Sequence, residues 1–193
     1  MWGFVGSTRL IKNRRNILQG RTYVLPCFFV MVSPMTIQNC YFIREQFFLE
    51  HPNFQKMLDP DNVSKQSKRI HICIKVDINT NTFYIPLRNN LGAPVRKFGR
   101  IGYSVPSRSR PNAGLDFRYA IVINDVKYIE SHTVQKIPHS QYAIISNHYE
   151  EIKKLFSIYL NGYKKAARKG RIQKEPLYRG SSLINFCNEL DLV

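Results

Sequence analysis

Nine residues alternate strictly, Ile70-His71-Ile72-Cys73-Ile74-Lys75-Val76-Asp77-Ile78. After Asn79-Thr80-Asn81-Thr82 come Phe83-Tyr84-Ile85-Pro86-Leu87-Arg88. A period of two over that length specifies a β-strand with one apolar face and excludes an amphipathic helix. Pairing Ile78 with Phe83 across the four-residue link sets Val76 against Ile85 and Ile74 against Leu87. All the apolar residues then share one face of a hairpin. The other face carries Cys73 opposite Arg88, with His71 and Arg69 further along. The ordinary fate of such a face is solvation, which suffices for Lys75 and Asp77. His71 and Cys73 could equally lie under a second layer. Arg88 ends its strand just after Pro86-Leu87, a place where chains commonly offer side chains to ligands.

Charge narrows the choice of partner. The chain has 193 residues, 44% of them apolar and 12% aromatic, enough for one domain with a real core and too apolar for disorder. Lys and Arg number 29 against 13 Asp and Glu, a net charge of +16. That surplus points to a polyanion, with nucleic acid first and an anionic membrane surface second. Cys27, Cys40, Cys73 and Cys187 form no C-x-x-C pair and have no metal-ligand spacing with His. They read as reduced thiols of a cytoplasmic protein, with no structural zinc, no metal site and no cofactor expected. No P-loop, G-x-S-x-G or paired-carboxylate pattern is present.

Residues 1–34 differ from the rest. They hold Arg9, Lys12, Arg14, Arg15 and Arg21, no acid, and an apolar run from Tyr23 to Val32. The basic stretch is long for a signal peptide, Pro26 interrupts the run, and the run is too short to span a bilayer. The expectation is a non-structural extension, with translation starting at Met31 or Met35 and a single domain over 35–193. Without those five cations the domain still carries 24 basic against 13 acidic residues, so the polyanion argument survives.

Along that domain, residues 36–43 read as a strand and 44–49 as a helix. Residues 53–58 read as a further helical turn or two, then a polar loop leads to the hairpin. Residues 89–115 read as a long loop rich in Gly, Pro, Ser and Arg, anchored by Phe98, Ile101, Tyr103 and Val105. Its Arg96, Lys97, Arg100, Arg108 and Arg110, with interleaved aromatics, suit a nucleic-acid backbone and unstacked bases. Residues 119–123 read as a central strand and 126–129 as its continuation after a turn at Asn124-Asp125. A helix follows from His139 or Ser140, stopped by Gly170. Ile152, Phe156, Tyr159 and Tyr163 form its core stripe. Lys164, Lys165, Arg168, Lys169 and Arg171 crowd its end, more cations than a helix dipole requires, and are candidate RNA-binding residues. Residues 183–190 read as a short closing helix capped by serines. The fold class is α+β, a single domain with a twisted, mainly antiparallel sheet. A central hairpin packs against helices, and the C-terminal helix is long.

Three segments also carry a family resemblance: Lys68-Arg69-Ile70-His71-Ile72-Cys73-Ile74, Tyr84-Ile85-Pro86-Leu87-Arg88-Asn89 and Val122-Ile123-Asn124-Asp125-Val126-Lys127-Tyr128. In order and spacing, from about Met35 onward, the chain resembles the toxins of type III toxin–antitoxin systems. These are the ToxN/AbiQ/CptN/TenpN group, with the TenpN branch nearest. The resemblance implies a metal-independent endoribonuclease that cleaves cellular mRNA and its own antitoxin RNA precursor. Attack by the 2′-hydroxyl would leave a 2′,3′-cyclic phosphate. It implies inhibition by the repeat-derived, pseudoknotted antitoxin RNA in a closed or open protein–RNA assembly, and a role in abortive defence against phage. Neither DNA nor a membrane is an expected partner. Much of the family has a Lys before the first hairpin strand and Thr-Ser after the Pro-Leu pair. This chain instead has Arg69, with Lys68 adjacent, at the first position and Arg88-Asn89 at the second.

Metal-free RNA cleavage needs a base near the 2′-hydroxyl, cations on the phosphorane and an acid for the leaving oxygen. Arg88 and Arg69 are expected to stabilise the phosphate and Asn89 to position it. His71, kept neutral by neighbouring cations, or Lys68 moves the proton. Tyr128 is a candidate base-stacking residue, although an aromatic there is more often core. Two rival signals are weaker. Arg44 and His51 have a spacing known from helical ribonucleases, a fold this strand-rich chain does not suit. His132, His139 and His148 need tertiary proximity to form an acid–base pair. The alternatives to an enzyme are a non-catalytic basic RNA-binding protein and an amphipathic membrane-surface protein. The ordinary core stripe of the last helix argues against the membrane reading.

Overall fold

The computed structural model describes residues 40–75, 81–131 and 137–192. The expectations for residues 1–34, the link after the first hairpin strand, and His132 lie outside them. In chain order the elements are β1 (Cys40–Ile43), α1 (Glu45–Glu50), α2 (Val63–Ser67), β2 (His71–Lys75) and β3 (Thr82–Arg88). There follow α3 (Gly92–Phe98), β4 (Gly102–Ser104), β5 (Gly114–Asp116), β6 (Ile121–Val122), β7 (Ile129–Ser131), α4 (His139–Asn147) and α5 (Tyr149–Arg168). This is an α+β domain with a seven-stranded sheet in the order β4-β5-β3-β2-β1-β7, and β6 also pairs with β3. Every described pairing is antiparallel.

The hairpin forms, in a different register from the expected one. Ile74 pairs with Phe83 and Ile72 with Ile85, where the alternation suggested Leu87 opposite Ile74. The slip is an even number of residues, so each side chain keeps its face and alternation alone cannot detect it. The second face is also not free. His71 (2% exposed), Cys73 and Tyr84 are buried, because the segment carrying α1 and α2 lies over this side of the sheet. The sheet is therefore covered on both faces. α5 packs on the first face, with the Phe156 ring 5.1 Å from Phe83 and 5.5 Å from Phe117.

β3 is the strand most neighbours share. Its first half pairs with β6 through Phe83 and Tyr84, and its last two residues pair with β5. Pro86 stands at the change of partner. Leu87 N–H donates to Ile70 O across β2, so the alternating pattern turns the proline nitrogen toward the gap between β6 and β5. A residue without N–H loses no ladder bond there.

The region read as a long loop contains α3, β4 and β5 instead. Gly99, at φ +64°, closes α3 with its N–H on Val95 O at 2.7 Å, a glycine C-cap that propensity reading missed. Ile101, Val105 and Leu115 then bury completely. Residues 53–58 are turns rather than helix, since Lys56 has φ +57°. Residues 63–67, read as loop, are helical, with the Asn62 side chain capping Lys65 N–H at 2.8 Å. Residues 117–119 and 126–128 are 3₁₀ turns, capped by Asp116 and Asp125, so strand structure shrinks to β6 and β7. The long helix breaks at His148 into α4 and α5, and ends at Gly170 (φ +61°) as expected. The closing segment forms only a 3₁₀ turn, Ser182–Asn185, capped by Ser181. Among the described residues no helix is long and apolar enough to cross a membrane.

Gly114 fixes how closely β5 approaches its neighbours. A Cβ there would lie 2.3 Å from Tyr103 O and 2.5 Å from Leu91 Cδ1. Gly114→Ala must displace backbone, so it is expected to cost about 1–3 kcal/mol in urea denaturation. It should also shift the amide resonances of Arg88, the residue paired with it.

Candidate functional site

Arg88 is where the structure converges. Asp116 lies two residues beyond Gly114 on β5, so it stands on the same face of the sheet as Arg88. Its carboxylate is 0% exposed. Oδ2 accepts from Arg88 Nη1 at 2.7 Å and from Arg118 Nη2 at 2.8 Å, while Oδ1 accepts from Arg118 Nε at 2.9 Å. Oδ1 also caps the 3₁₀ turn through Arg118 N–H at 3.3 Å. A carboxylate out of water is stable only when paired and hydrogen-bonded, and these bonds meet that requirement.

The three groups carry a net single positive charge. Both guanidinium carbons lie 5.3 Å from the centroid of the Tyr119 ring, within cation–π range. The Arg88 side chain keeps 25% exposure and Arg118 13%, so neither is sealed from solvent as Asp116 is. Burial works against the Arg118 charge, but the hydrogen bonds and charge of Asp116 outweigh it and raise its pKa above the usual arginine value. The result is a pre-oriented cationic fork, suited to a phosphate.

Arg69 goes elsewhere. Its Nη2 binds Asp59 and its Nε is buried without a hydrogen-bond partner. Partial burial works against the Asp59 charge, yet bonds from Lys65 and Arg69 hold its carboxyl below the usual carboxylate range. Arg69 and His71 line a small cavity of about 10 Å³, on the scale of one water, together with Pro86 and Tyr119. Tyr119 thus adjoins both the Arg88–Arg118 fork and the Arg69–His71 pocket.

His71 is not on a free surface. Its Nδ1–H donates to Arg69 O at 2.9 Å, and burial drives its pKa down to about 3, with the nearby Arg69 charge a smaller contribution. The expected neutrality is present, though burial rather than neighbouring cations is its main cause. Of the two groups expected to move a proton, only Lys68 is exposed; Asn89, beside Arg88, is exposed as well.

The remaining candidates scatter. Arg108 and Arg110 stand exposed at the tip of the β4–β5 hairpin, where Ser107 and Arg110 exchange backbone bonds of 3.0 and 3.1 Å. Lys97 and Arg100 are exposed around the end of α3, the helix that also contains Arg96. Tyr128 is packed rather than free to stack. Its ring lies 5.4 Å from Phe47, its hydroxyl donates to Glu50, and Lys127 sits 4.6 Å from its centroid. Lys164, Lys165, Arg168 and Lys169 share one face of α5, whereas Arg171 pairs with Glu175 at 2.8 Å.

His51 stacks on Phe54 at 4.5 Å. His148 pairs with Glu151, which Tyr103 also reaches at 2.9 Å, on the α5 side of the sheet and away from Arg88. Among the described residues no three His, Cys, Asp or Glu converge to hold a metal ion, and Cys40, Cys73 and Cys187 are reduced thiols outside any disulfide.

Sequence reasoning missed Asp116, Arg118 and Tyr119. One signal was available: between Asp77 and Asp125, Asp116 is the sole acid among seven basic residues. An acid so placed, between Leu115 and Phe117, is a candidate for burial with its cations.

No protein-family model matches the chain, and no curated protein matches its sequence. A solved structure does match in fold. It was described in work on bacterial type III toxin–antitoxin systems, where a non-coding RNA pseudoknot selectively inhibits the toxin. The likeness covers 79% of this chain and 97% of that one, with a TM-score of 0.53 and 13% identity. At that identity it is the fold that the two share.

His71 predicts a pH dependence. The unfolded chain protonates it near pH 6.5 and the folded chain only near 3, so it subtracts stability as pH falls below 6.5. At pH 5 the loss is about 2 kcal/mol relative to pH 7. His71→Asn retains a donor for Arg69 O, and its urea midpoint should vary correspondingly less between those two pH values.

Proposed function

We propose that this protein is a metal-independent endoribonuclease toxin of a type III toxin–antitoxin system, acting in the cytoplasm on cellular RNA. Residues 35–193 form its catalytic unit. The processed, repeat-derived antitoxin RNA, pseudoknotted, holds it inactive after being cut from its precursor by the same site. The observation that carries this reading is the Arg88–Asp116–Arg118 fork over Tyr119, at the end of the strand that closes with Pro86-Leu87. The fold likeness and the surplus of cations support it.

In this mechanism Arg88 and Arg118 hold the non-bridging oxygens of the scissile phosphodiester. They stabilise the charge that grows there as the 2′-oxygen attacks phosphorus and the 5′-oxygen leaves. The product is a 2′,3′-cyclic phosphate and a 5′-hydroxyl. Asp116 does not touch substrate; it fixes the two guanidiniums, so their orientation is set before RNA arrives. Asn89 positions the phosphate, Lys68 moves a proton, and Arg69 and His71 support the floor beside Tyr119. Arg96, Lys97, Arg100, Arg108 and Arg110 guide the backbone toward the site. Tyr128 contributes packing.

A second reading, a non-catalytic RNA-binding protein, is favoured by one feature: His71, the one near-neutral titrating group expected at the site, is buried. Purified protein incubated with total RNA in chelator separates the two, with Arg88→Ala alongside. Cleavage is expected in the wild type and should fall at least ~100-fold in Arg88→Ala, by analogy with loss of one transition-state donor. The variant should still fold, because Arg118 keeps its bonds to Asp116. RNA bound but left uncut by the wild type supports the binding reading. Equal cleavage by Arg88→Ala places the site elsewhere.

A further inference from the structure

Asn161, Lys164, Lys165 and Arg168 on α5, with Lys169 at its C-cap, recur at helical spacing, so they share one face. They line a hollow of about 410 Å³. Lys165, Arg168 and Lys169 are exposed, whereas Lys164 is only 8% exposed. Among the described residues no carboxylate lies within salt-bridge distance of any of the four cations. Glu175, the next acid along the chain, is engaged with Arg171. Lys164 with Arg168, and Lys165 with Lys169, are like-charge neighbours one helical turn apart, an arrangement that destabilises a helix. The helix dipole favours cations in the last turn, but four of them without an acidic partner exceed what it requires. Cations held together at such a cost point to an anionic ligand.

The lining identifies the ligand's chemistry. The hollow offers ammonium, guanidinium and amide donors and no aromatic ring, so it can hold phosphates but cannot stack bases. It has no apolar side chain to insert between lipids, which disfavours a membrane. From Asn161 to Lys169 the helix advances about 12 Å, which spans roughly three phosphates of one strand. α5 meets the sheet through Phe156 against Phe83 and Phe117, on the face opposite to Arg88 and Asp116. The hollow shares no lining residue with the Arg88–Asp116–Arg118 cluster.

We propose that this face of α5 is an exosite for the sugar–phosphate backbone of RNA, holding the strand away from the scissile bond and without regard to sequence. It takes its ligand class from the reading above but does not require that RNA be cut. The test uses the full chain and the triple variant Lys165→Gln, Arg168→Gln, Lys169→Gln, whose three positions are all exposed. The probe is a 2′-O-methyl RNA of about 20 nucleotides, which 2′-hydroxyl attack cannot cleave, titrated at several salt concentrations. Affinity at low salt is expected to fall at least ~10-fold, and the slope of log K against log salt to shrink by about 2, that is about 0.7 for each of roughly three phosphates. Cleavage of a tetranucleotide should be unchanged while cleavage of long RNA weakens. Should the triple variant unfold by circular dichroism, Lys169→Glu alone carries the same test with a smaller slope change. Unchanged affinity and slope would overturn the exosite. So would phosphatidylserine vesicles that bind the wild type and lose the variant while RNA binding stays constant. Because the probe is not a substrate, the result stands whether or not the protein proves to be a nuclease.

Discussion

The Asp116 carboxylate is sealed from water, and a charge in that position would unravel its surroundings unless cations reached it first. Arg118 reaches it from the next turn of chain and Arg88 from the neighbouring strand. That single requirement ties β3, β5 and the 117–119 turn into one unit. It also determines where two guanidinium groups must sit. Removing the carboxylate while keeping the arginines would leave two like charges beside one aromatic ring; removing both arginines would strand a buried anion. Stability and the proposed chemistry therefore draw on the same bonds. The cationic fork is held in place by the same hydrogen bonds that satisfy the buried carboxylate.

β3 makes this possible by serving several partners. Its inner face supplies Phe83 and Ile85 to the core under α5, and its other face contributes Pro86 and Arg88. The change from β6 to β5 at Pro86 opens the sheet edge just where Arg88 begins. Gly114 then brings β5 close enough for Asp116 to meet Arg88. The cationic face thus emerges from a packing problem solved with a proline, a glycine and one buried acid.

Two kinds of positive charge follow from different physics. Arg88 and Arg118 are neutralised in part, partly buried and fixed, suited to a charge that develops in one place. The α5 cations lack acidic partners and three of the four are exposed, so they attract phosphate at a distance and lose that attraction in salt. A protein with only the first kind would hold RNA poorly, and one with only the second would bind it without orienting a particular bond.

Local pattern was enough for much of this architecture. The alternation around Ile72 and Ile74, the stripe through Ile152, Phe156, Tyr159 and Tyr163, the stop at Gly170 and the place of Arg88 at a strand end all follow from the residues themselves. Periodicity reports which face a side chain occupies, and burial follows from that. It does not report what covers the opposite face. So the pattern leaves open whether His71 meets solvent or a second layer, and it is enclosed; Tyr128, a candidate for stacking, packs against Phe47. The pairing of β2 with β3 slipped by an even number of residues, invisible to a period of two. Asp116, Arg118 and Tyr119 come together with Arg88 only when β5 folds beside β3, because a carboxylate choosing its cations depends on distance in space. Composition and periodicity determined an α+β domain with cations to spare; which of those cations meet, and around what, was decided by the burial of one acid.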